Sequence, residues 1–266
     1  MDLETLAAYA AERVNSDPMN RMDGPELTGT PFFAAPIFGI AAADDPLFRE
    51  FTRPEVVSAD LLLPDQWLPG AVRVVSYFLP FSESVRVSNR TAGDPSLLWL
   101  YGRIEGQRFI LSLSEGLAEQ LRAAGYRALV PAADPRFQAV KDPVQNRFDS
   151  NWSERHAAFA AGLGTFGLSR NIITRLGAAG RLGSIITDAP LPVTPREYSE
   201  PYEWCSRCGA CAPRCPVQAI APGEIKRQLP CFNWLNETGV RFAPRYGCGK
   251  CQVKVPCETK APARGK

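Results

Sequence analysis

Apolar residues at helical spacing open the chain. Leu3, Leu6, Ala7, Ala10, Ala11 and Val14 recur every three to four positions, with Asp2 ahead of them as an N-cap. A proline-rich segment follows. Val72 to Phe81 reads Val-Arg-Val-Val-Ser-Tyr-Phe-Leu-Pro-Phe, a β-branched and aromatic run that predicts a buried strand. Leu97 to Ala124 sets Leu113, Leu117 and Leu121 on one face and predicts a long helix. Gly102 and Gly106 weaken its first half and Gly125 ends it. Arg127 to Val130 predicts another strand. Ser153 stands where it would cap a short helix, Glu154 to Ala161, which breaks at Gly162-Leu163-Gly164-Thr165-Phe166-Gly167. Ile172–Thr174 and Leu182–Thr187 then predict two strands. Three prolines between Ala189 and Pro195 mark the expected boundary between two domains, 1–195 and 196–266.

The 266 residues suffice for one large domain and a small one. Hydrophobic content of 45% and charged content of 22% are those of a soluble globular chain. The longest apolar stretch, Pro31 to Ala43, has 13 residues, too few to span a bilayer, so no membrane partner is expected. Met1-Asp2-Leu3-Glu4 has neither a cationic region nor a twin arginine, which leads to the expectation of a cytoplasmic protein without an export signal.

Chemistry enters with the cysteines. Cys205, Cys208, Cys211 and Cys215-Pro216 have the spacing C-x2-C-x2-C-x3-C-P. This is the bacterial-ferredoxin run for a cubane iron–sulfur cluster, whose fourth cysteine ligates a second cluster. Cys231, Cys248, Cys251 and Cys257 follow, for a total of 8, and none precedes Cys205. Two [4Fe–4S] clusters account for them all: Cys205, Cys208, Cys211 and Cys257 in one set, Cys215, Cys231, Cys248 and Cys251 in the other. The second half-motif departs from a regular repeat, with five residues between Cys251 and Cys257. Zinc knuckles and a disulfide framework remain as alternatives. Three evenly spaced cysteines before Cys-Pro suit a cubane better than a knuckle.

Charge is uneven. Residues 1–195 carry 18 basic and 22 acidic side chains, and residues 196–266 carry 12 and 6. A basic tail can signal nucleic acid. Anionic thiolate-bound clusters offset much of it, however, and Arg207, Arg214, Lys250 and Lys254 would hold their potentials up. Residues 162–167 also match G-x-G-x-x-G, but they follow a helix and lead toward a strand, the reverse of a dinucleotide fingerprint.

From Asp149-Ser150-Asn151-Trp152-Ser153-Glu154-Arg155, through Ala161-Gly162-Leu163-Gly164, to Ile172-Ile173-Thr174 and Leu182-Gly183-Ser184-Ile185-Ile186-Thr187-Asp188, the chain resembles the epoxyqueuosine reductases and, more distantly, the reductive dehalogenases. The similarity covers roughly residues 67–257 and includes Trp67-Leu68-Pro69-Gly70-Ala71. It implies an α+β (α/β) fold: a nitroreductase-like corrinoid-binding domain followed by a two-cluster ferredoxin-like domain. It also implies a cobalamin held base-off between them. By position, Gly162, Gly164, Thr165, Ile172, Thr174, Leu182 and Gly183 are the implied corrin contacts, the glycines letting a flat macrocycle approach the backbone. Asp149 falls near the family's catalytic acid, though Glu154 and Arg155 follow one residue early. His156, the only histidine, stands where the family does not use one, and Trp152 either stacks near the site or packs.

Two further departures shape the expectation. The loop lacks the lysine common after its last glycine, and the chain ends nine residues past Cys257. With no strong basic stripe, this argues against tRNA and for a small-molecule substrate. The reading is an iron–sulfur, cobalamin-dependent oxidoreductase fed by an external low-potential donor such as ferredoxin or flavodoxin. The alternatives are a cobamide-reducing or corrinoid-processing protein and an electron-transfer ferredoxin without a corrinoid.

Overall fold

The computed structural model describes residues 1–24, 27–224 and 226–262. In chain order the elements are α1 (Leu3–Ser16), β1 (Ile37–Ala42), α2 (Pro46–Glu50), α3 (Pro64–Trp67), β2 (Arg73–Pro80), α4 (Glu83–Ser88), α5 (Leu97–Ala123), β3 (Ala128–Leu129), β4 (Ala139–Asp142), β5 (Arg147–Ser150), α6 (Glu154–Ala160), β6 (Gly164–Phe166), β7 (Ile172–Thr174), β8 (Gly180–Thr187) and α7 (Gln228–Arg241). The main sheet runs β1-β2-β8-β3 and every pair is antiparallel. β4–β5 and β6–β7 form two small hairpins.

Strand alternation splits the core into two layers. Val75, Tyr77, Leu79 and Ile185 face α1 and α5, where Leu6, Ala10, Phe109, Leu113 and Leu117 are buried with them. Val74 and Ile186 face the other way, toward Trp67, Trp152 and the alanines of α6. The result is a mixed helix–sheet fold with helices on both faces of an antiparallel sheet. Asp2 caps α1 as expected, accepting from the Thr5 N–H at 2.9 Å. No helix of the described residues is long and apolar enough to cross a membrane.

Helix α5 is continuous where its glycines seemed to weaken it. A Cβ on Gly102 would stand 3.0 Å from the Phe81 ring, and one on Gly106 3.0 Å from Phe33. The helix uses both to lie close on aromatic side chains, which outweighs the roughly 1 kcal/mol each costs by propensity.

The proline segment 189–195 lies along the edge of β1. Thr194 donates its N–H to the Ile40 carbonyl at 2.9 Å, and its hydroxyl accepts from the Ile40 N–H at 3.0 Å. The cysteine-bearing part has little regular structure besides α7, and its last stretch packs into the main body. Val253 is fully buried in the first core layer. Ala178 and Ala179 donate to the carbonyls of Cys257 and Glu258 at 2.8 and 3.2 Å.

Candidate functional site

The eight thiols fall into two neighbourhoods. Cys257 lies within the field of Cys205, Cys211 and Cys208, and Cys248 within that of Cys251, Cys231 and Cys215. Burial pushes Cys257 up to about 12 and Cys211 and Cys248 up to about 11, and neighbouring thiols add to the rise. Such thiols ionise only against a compensating positive centre. The two neighbourhoods approach through Cys211 and Cys251. N–H groups already point at sulfur: Ala219 donates to Cys215 Sγ at 3.2 Å, and the Asn171 amide to Cys251 Sγ at 3.6 Å.

Among the described residues, no three His, Cys, Asp or Glu form a group that could hold a metal ion. A tetrahedral zinc site gathers thiolates roughly 3.8 Å apart, given Zn–S bonds of about 2.3 Å. A cubane takes one thiolate at each of four iron corners and spreads them further.

Two cavities meet beside the second set. The first, about 740 Å³, is walled by β8 and α5 on one side and by Cys215, Cys231, Cys248 and Cys251 on the other. Sheet register opens it: β8 pairs with β2 along its whole length, but with β3 only at Ile186 and Thr187. The edge from Gly180 onward is therefore left without a strand beside it. Ile172, Leu182 and Gly183 line this cavity. The second, about 1140 Å³, holds Asp149, His156 and Arg170. Phe137, Arg155, Lys226, Cys231 and Leu235 border both.

Gly162, Gly164, Thr165 and Thr174 line neither cavity. Gly162 has φ of 81°, and a Cβ there would stand 3.2 Å from the Pro195 carbonyl. One on Gly164 would collide with the Ile173 carbonyl across the β6–β7 hairpin. Thr174 is fully buried and donates to the Gly177 carbonyl at 2.8 Å. Thr165 accepts from the Trp204 N–H at 2.9 Å, and Phe166 donates to the Pro201 carbonyl at 2.7 Å. The glycine segment thus docks the first cysteine run against the body, and the hairpin supplies the reason for its glycines.

Asp149, on β5, accepts from the Arg147 guanidinium at 2.7 Å, while its Oδ1 is buried without a partner. Glu154, at the start of α6, lines the first cavity with both carboxyl oxygens buried and no hydrogen bond of ordinary geometry. Burial pushes it up to about 7, tempered by the nearby Ser184 hydroxyl. That hydroxyl already accepts from the Trp152 indole at 2.9 Å, so Trp152 is a core residue. His156 is pushed down to about 3 by burial and by the charges of Arg155 and Arg170. With its Nδ1 2.8 Å from the Ser153 hydroxyl and its ring against Phe51 and Phe166, it is a neutral packing residue. Ser153 therefore heads α6 without capping it.

Lys226 and Arg155 carry the charge at the junction. Burial pulls the Lys226 ammonium down, but Cys251 and Cys231 outweigh it and hold it above its ordinary value. Arg155 donates to the Arg170 carbonyl at 2.9 Å. The Glu-Arg pair of the resemblance pointed to Arg155; no sequence signal pointed to Lys226.

Residues 201–221 match the family described as 4Fe-4S binding domain. Over 216 residues the chain is 24% identical to the epoxyqueuosine reductase of Aliivibrio fischeri, covering 74% of this chain and 53% of that protein. The chain spans about half the length of the curated relatives it matches. A catabolic reductive dehalogenase solved with 3-bromo-4-hydroxybenzoic acid superposes with a TM-score of 0.56 at 16% identity, over 85% of this chain and 30% of that one. An epoxyqueuosine reductase solved with an epoxyqueuosine-modified tRNA-Tyr stem loop gives 0.51 at 19% identity, over 86% and 63%. The chain is similar to epoxyqueuosine reductases in sequence, and it shares its fold with them and with a reductive dehalogenase. These findings overturn the argument against tRNA: the relatives are named for a modified nucleoside, and one protein of this fold is solved holding a tRNA stem loop.

Proposed function

We propose that the chain is an iron–sulfur reductase of the epoxyqueuosine reductase kind, with two [4Fe–4S] clusters, a corrinoid between a nitroreductase-like domain and a ferredoxin-like one, and a tRNA-borne nucleoside as substrate. One observation carries the reading. Cys215, Cys231, Cys248 and Cys251 line the same cavity as Ile172, Leu182 and Gly183, and that cavity borders, through Arg155, Lys226 and Cys231, the one that Asp149 lines. On this reading electrons arrive in the first cavity and protons in the adjoining second one.

The residues present fit a corrin in the first cavity. Its wall is largely apolar, the open edge of β8 offers backbone groups to amide side chains, and the buried Trp234 indole N–H lacks a partner. The chain's only histidine lines the other cavity, which suits a base-off corrinoid without an imidazole ligand. When bound, the corrinoid would supply the low-potential metal centre that reduces the substrate.

The chain's own residues do the rest. Cys205, Cys208, Cys211 and Cys257 hold the outer cluster, and the approach of Cys211 to Cys251 links it to the inner one. Arg147 orients Asp149 on the wall of the second cavity, the position from which we assign it the proton-donor role. Arg147 is taken up by Asp60 and Asp149, and Glu50 and Glu55 also line that cavity, but Lys141, Arg155, Arg170 and Lys226 remain to meet phosphates, and Phe148, Phe232 and Tyr202 offer faces for an unstacked base.

Anaerobic purification followed by metal analysis tests the clusters: about eight iron and eight sulfide per chain are expected for two cubanes. Four iron, or stoichiometric zinc, overturns the assignment. Added cob(II)alamin should lose the superhyperfine splitting of its lower nitrogen in electron paramagnetic resonance. The unchanged spectrum of free base-on cobalamin would end the corrinoid reading.

A further inference from the structure

We propose that Arg103 and Arg181, with the amide of Gln107, form a binding site for a phosphate-type oxyanion in the wall of the first cavity. The proposal deepens the reading above, since it assigns a chemical group to what that cavity holds.

Arg103 and Gln107 stand four residues apart on α5, and so on one face of the helix. Arg181 comes from β8, opposite Leu79, on the stretch that β3 leaves unpaired. All three line the cavity. An Arg181 N–H donates to Gln107 Oε1, which leaves the Gln107 amide N–H groups for another partner. The Arg103 guanidinium stacks on the Tyr246 ring at 4.4 Å, which fixes its plane.

No ion pair joins either arginine to an acid among the described residues. Arg245, next in sequence to Tyr246, does have one: its guanidinium is 2.7 Å from Glu105. Among the described residues the only acidic side chain in the cavity wall is Glu154, and its charge is not among those acting on Arg181. Burial pushes Arg181 down to about 9, and the like charge of Arg103 adds to the effect. Two guanidinium groups on one cavity wall without an ion-pair partner are costly in a low-dielectric setting. An oxyanion between them removes that cost, and the planar fork of arginine matches phosphate oxygens in pairs.

Two sources carry that chemistry: the phosphodiester in the nucleotide tail of a corrinoid, and a phosphate of the substrate or of solution. Equilibrium dialysis of the anaerobically purified full chain separates them, read by corrin absorbance. Cobalamin carries the phosphodiester and cobinamide lacks it. Wild-type protein should bind cobalamin about tenfold more tightly or better, equivalent to about 1.4 kcal/mol. Arg181→Gln should bring the ratio to near one. In parallel, inorganic phosphate at constant ionic strength should raise the melting temperature of the wild type and not of Arg181→Gln.

If both corrinoids bind equally while phosphate stabilises only the wild type, the oxyanion site stands and its ligand is not the tail. If neither corrinoid binds and phosphate still acts through Arg181, the corrinoid reading falls and the site stands. A ratio near one in the wild type together with no phosphate effect overturns the site, whether or not a corrinoid binds. Should Arg181→Gln fail to fold, Arg103→Gln carries the same test from a half-buried position on α5.

Discussion

Replacing Glu154 with glutamine should stabilise the protein by a margin that opens above about pH 4.5 and reaches its full size above about pH 7. The Glu154 carboxyl oxygens are buried without an ordinary hydrogen bond, and burial raises the group from 4.5 to about 7. At about 1.36 kcal/mol per tenfold, that interval corresponds to ~3 kcal/mol. The sign follows from proton counts. Below pH 4.5 the group is protonated in the folded and unfolded chain alike, and its contribution is fully present. Between pH 4.5 and about 7 the unfolded chain has released its proton while the folded chain keeps it, so stability falls as pH rises. Above about 7 the loss is complete. Glutamine keeps the shape and cannot ionise. The stability difference, Gln variant minus wild type, should therefore grow by about 2–3 kcal/mol between about pH 5 and pH 8. Equilibrium urea unfolding under anaerobic conditions reads it, and with m of roughly 1–3 kcal/mol/M the midpoint should separate by about 1 M or more. Because other titrating groups are common to both proteins, only the slope of the difference matters. A difference that stays flat over that range refutes the assignment of a buried, unpartnered carboxyl at the cavity wall.

Asp149→Asn should lower turnover on epoxyqueuosine-modified tRNA about 10²–10⁴-fold. Its melting temperature should barely move, because the half-exposed Arg147 partner contributes under about 1 kcal/mol; unchanged rates would remove Asp149 as the proton donor. Gly164→Ala should destabilise the fold by about 2 kcal/mol or more through its collision with the Ile173 carbonyl. An unchanged melting temperature with loss of corrinoid binding would instead return that glycine to the ligand. Glu258→Ala should cost about 3–5 kcal/mol, as removal of a buried ion-pair partner does. It should also release iron from the set containing Cys257, read by iron analysis of the anaerobically purified variant.

What the chain's pattern reveals depends on how local the cause is. Helix α1 and its cap depend on residues within four positions of each other, and strand β2 on an uninterrupted β-branched run; both are visible in the sequence. The continuity of α5 is not, because Gly102 and Gly106 answer to Phe81 and Phe33, distant in sequence. Strand β1 is not legible either, because Ile37–Ala42 sits between prolines, with small residues facing both core layers. The cysteine sets are legible because cluster ligation constrains spacing along the chain. The cavity lining is not, because it follows from where β3 stops pairing with β8. Of the seven implied corrin contacts, Ile172, Leu182 and Gly183 stand on that lining, and the other four serve the β6–β7 hairpin and the docking of the cysteine run.

The charge asymmetry between the two parts of the chain has a use that composition alone attributes to clusters. Some of it does serve them: Lys226 leans on Cys231 and Cys251. Arg214 and Lys250, by contrast, donate to the same two carbonyls, those of Asn89 and Thr91, which ties the cysteine-bearing part to the end of α4. Arg241 pairs with Asp94 and Arg245 with Glu105, basic residues of the C-terminal part meeting acids of the N-terminal part. Arg241 and Asp94 are nearly half exposed, so that pair contributes under about 1 kcal/mol. Glu258 reverses the polarity at a buried position. Burial raises its carboxyl, but the Arg90 guanidinium, the Lys254 N–H and Arg86 together hold it below the usual carboxylate range. Because the neighbouring Cys257 carbonyl is held by Ala178, this buried contact fixes the cysteine most distant in sequence from its set. On the proposed two-cluster reading the irregular spacing before Cys257 is then tolerable, because that cysteine is positioned by the body of the protein rather than by the cysteine run itself.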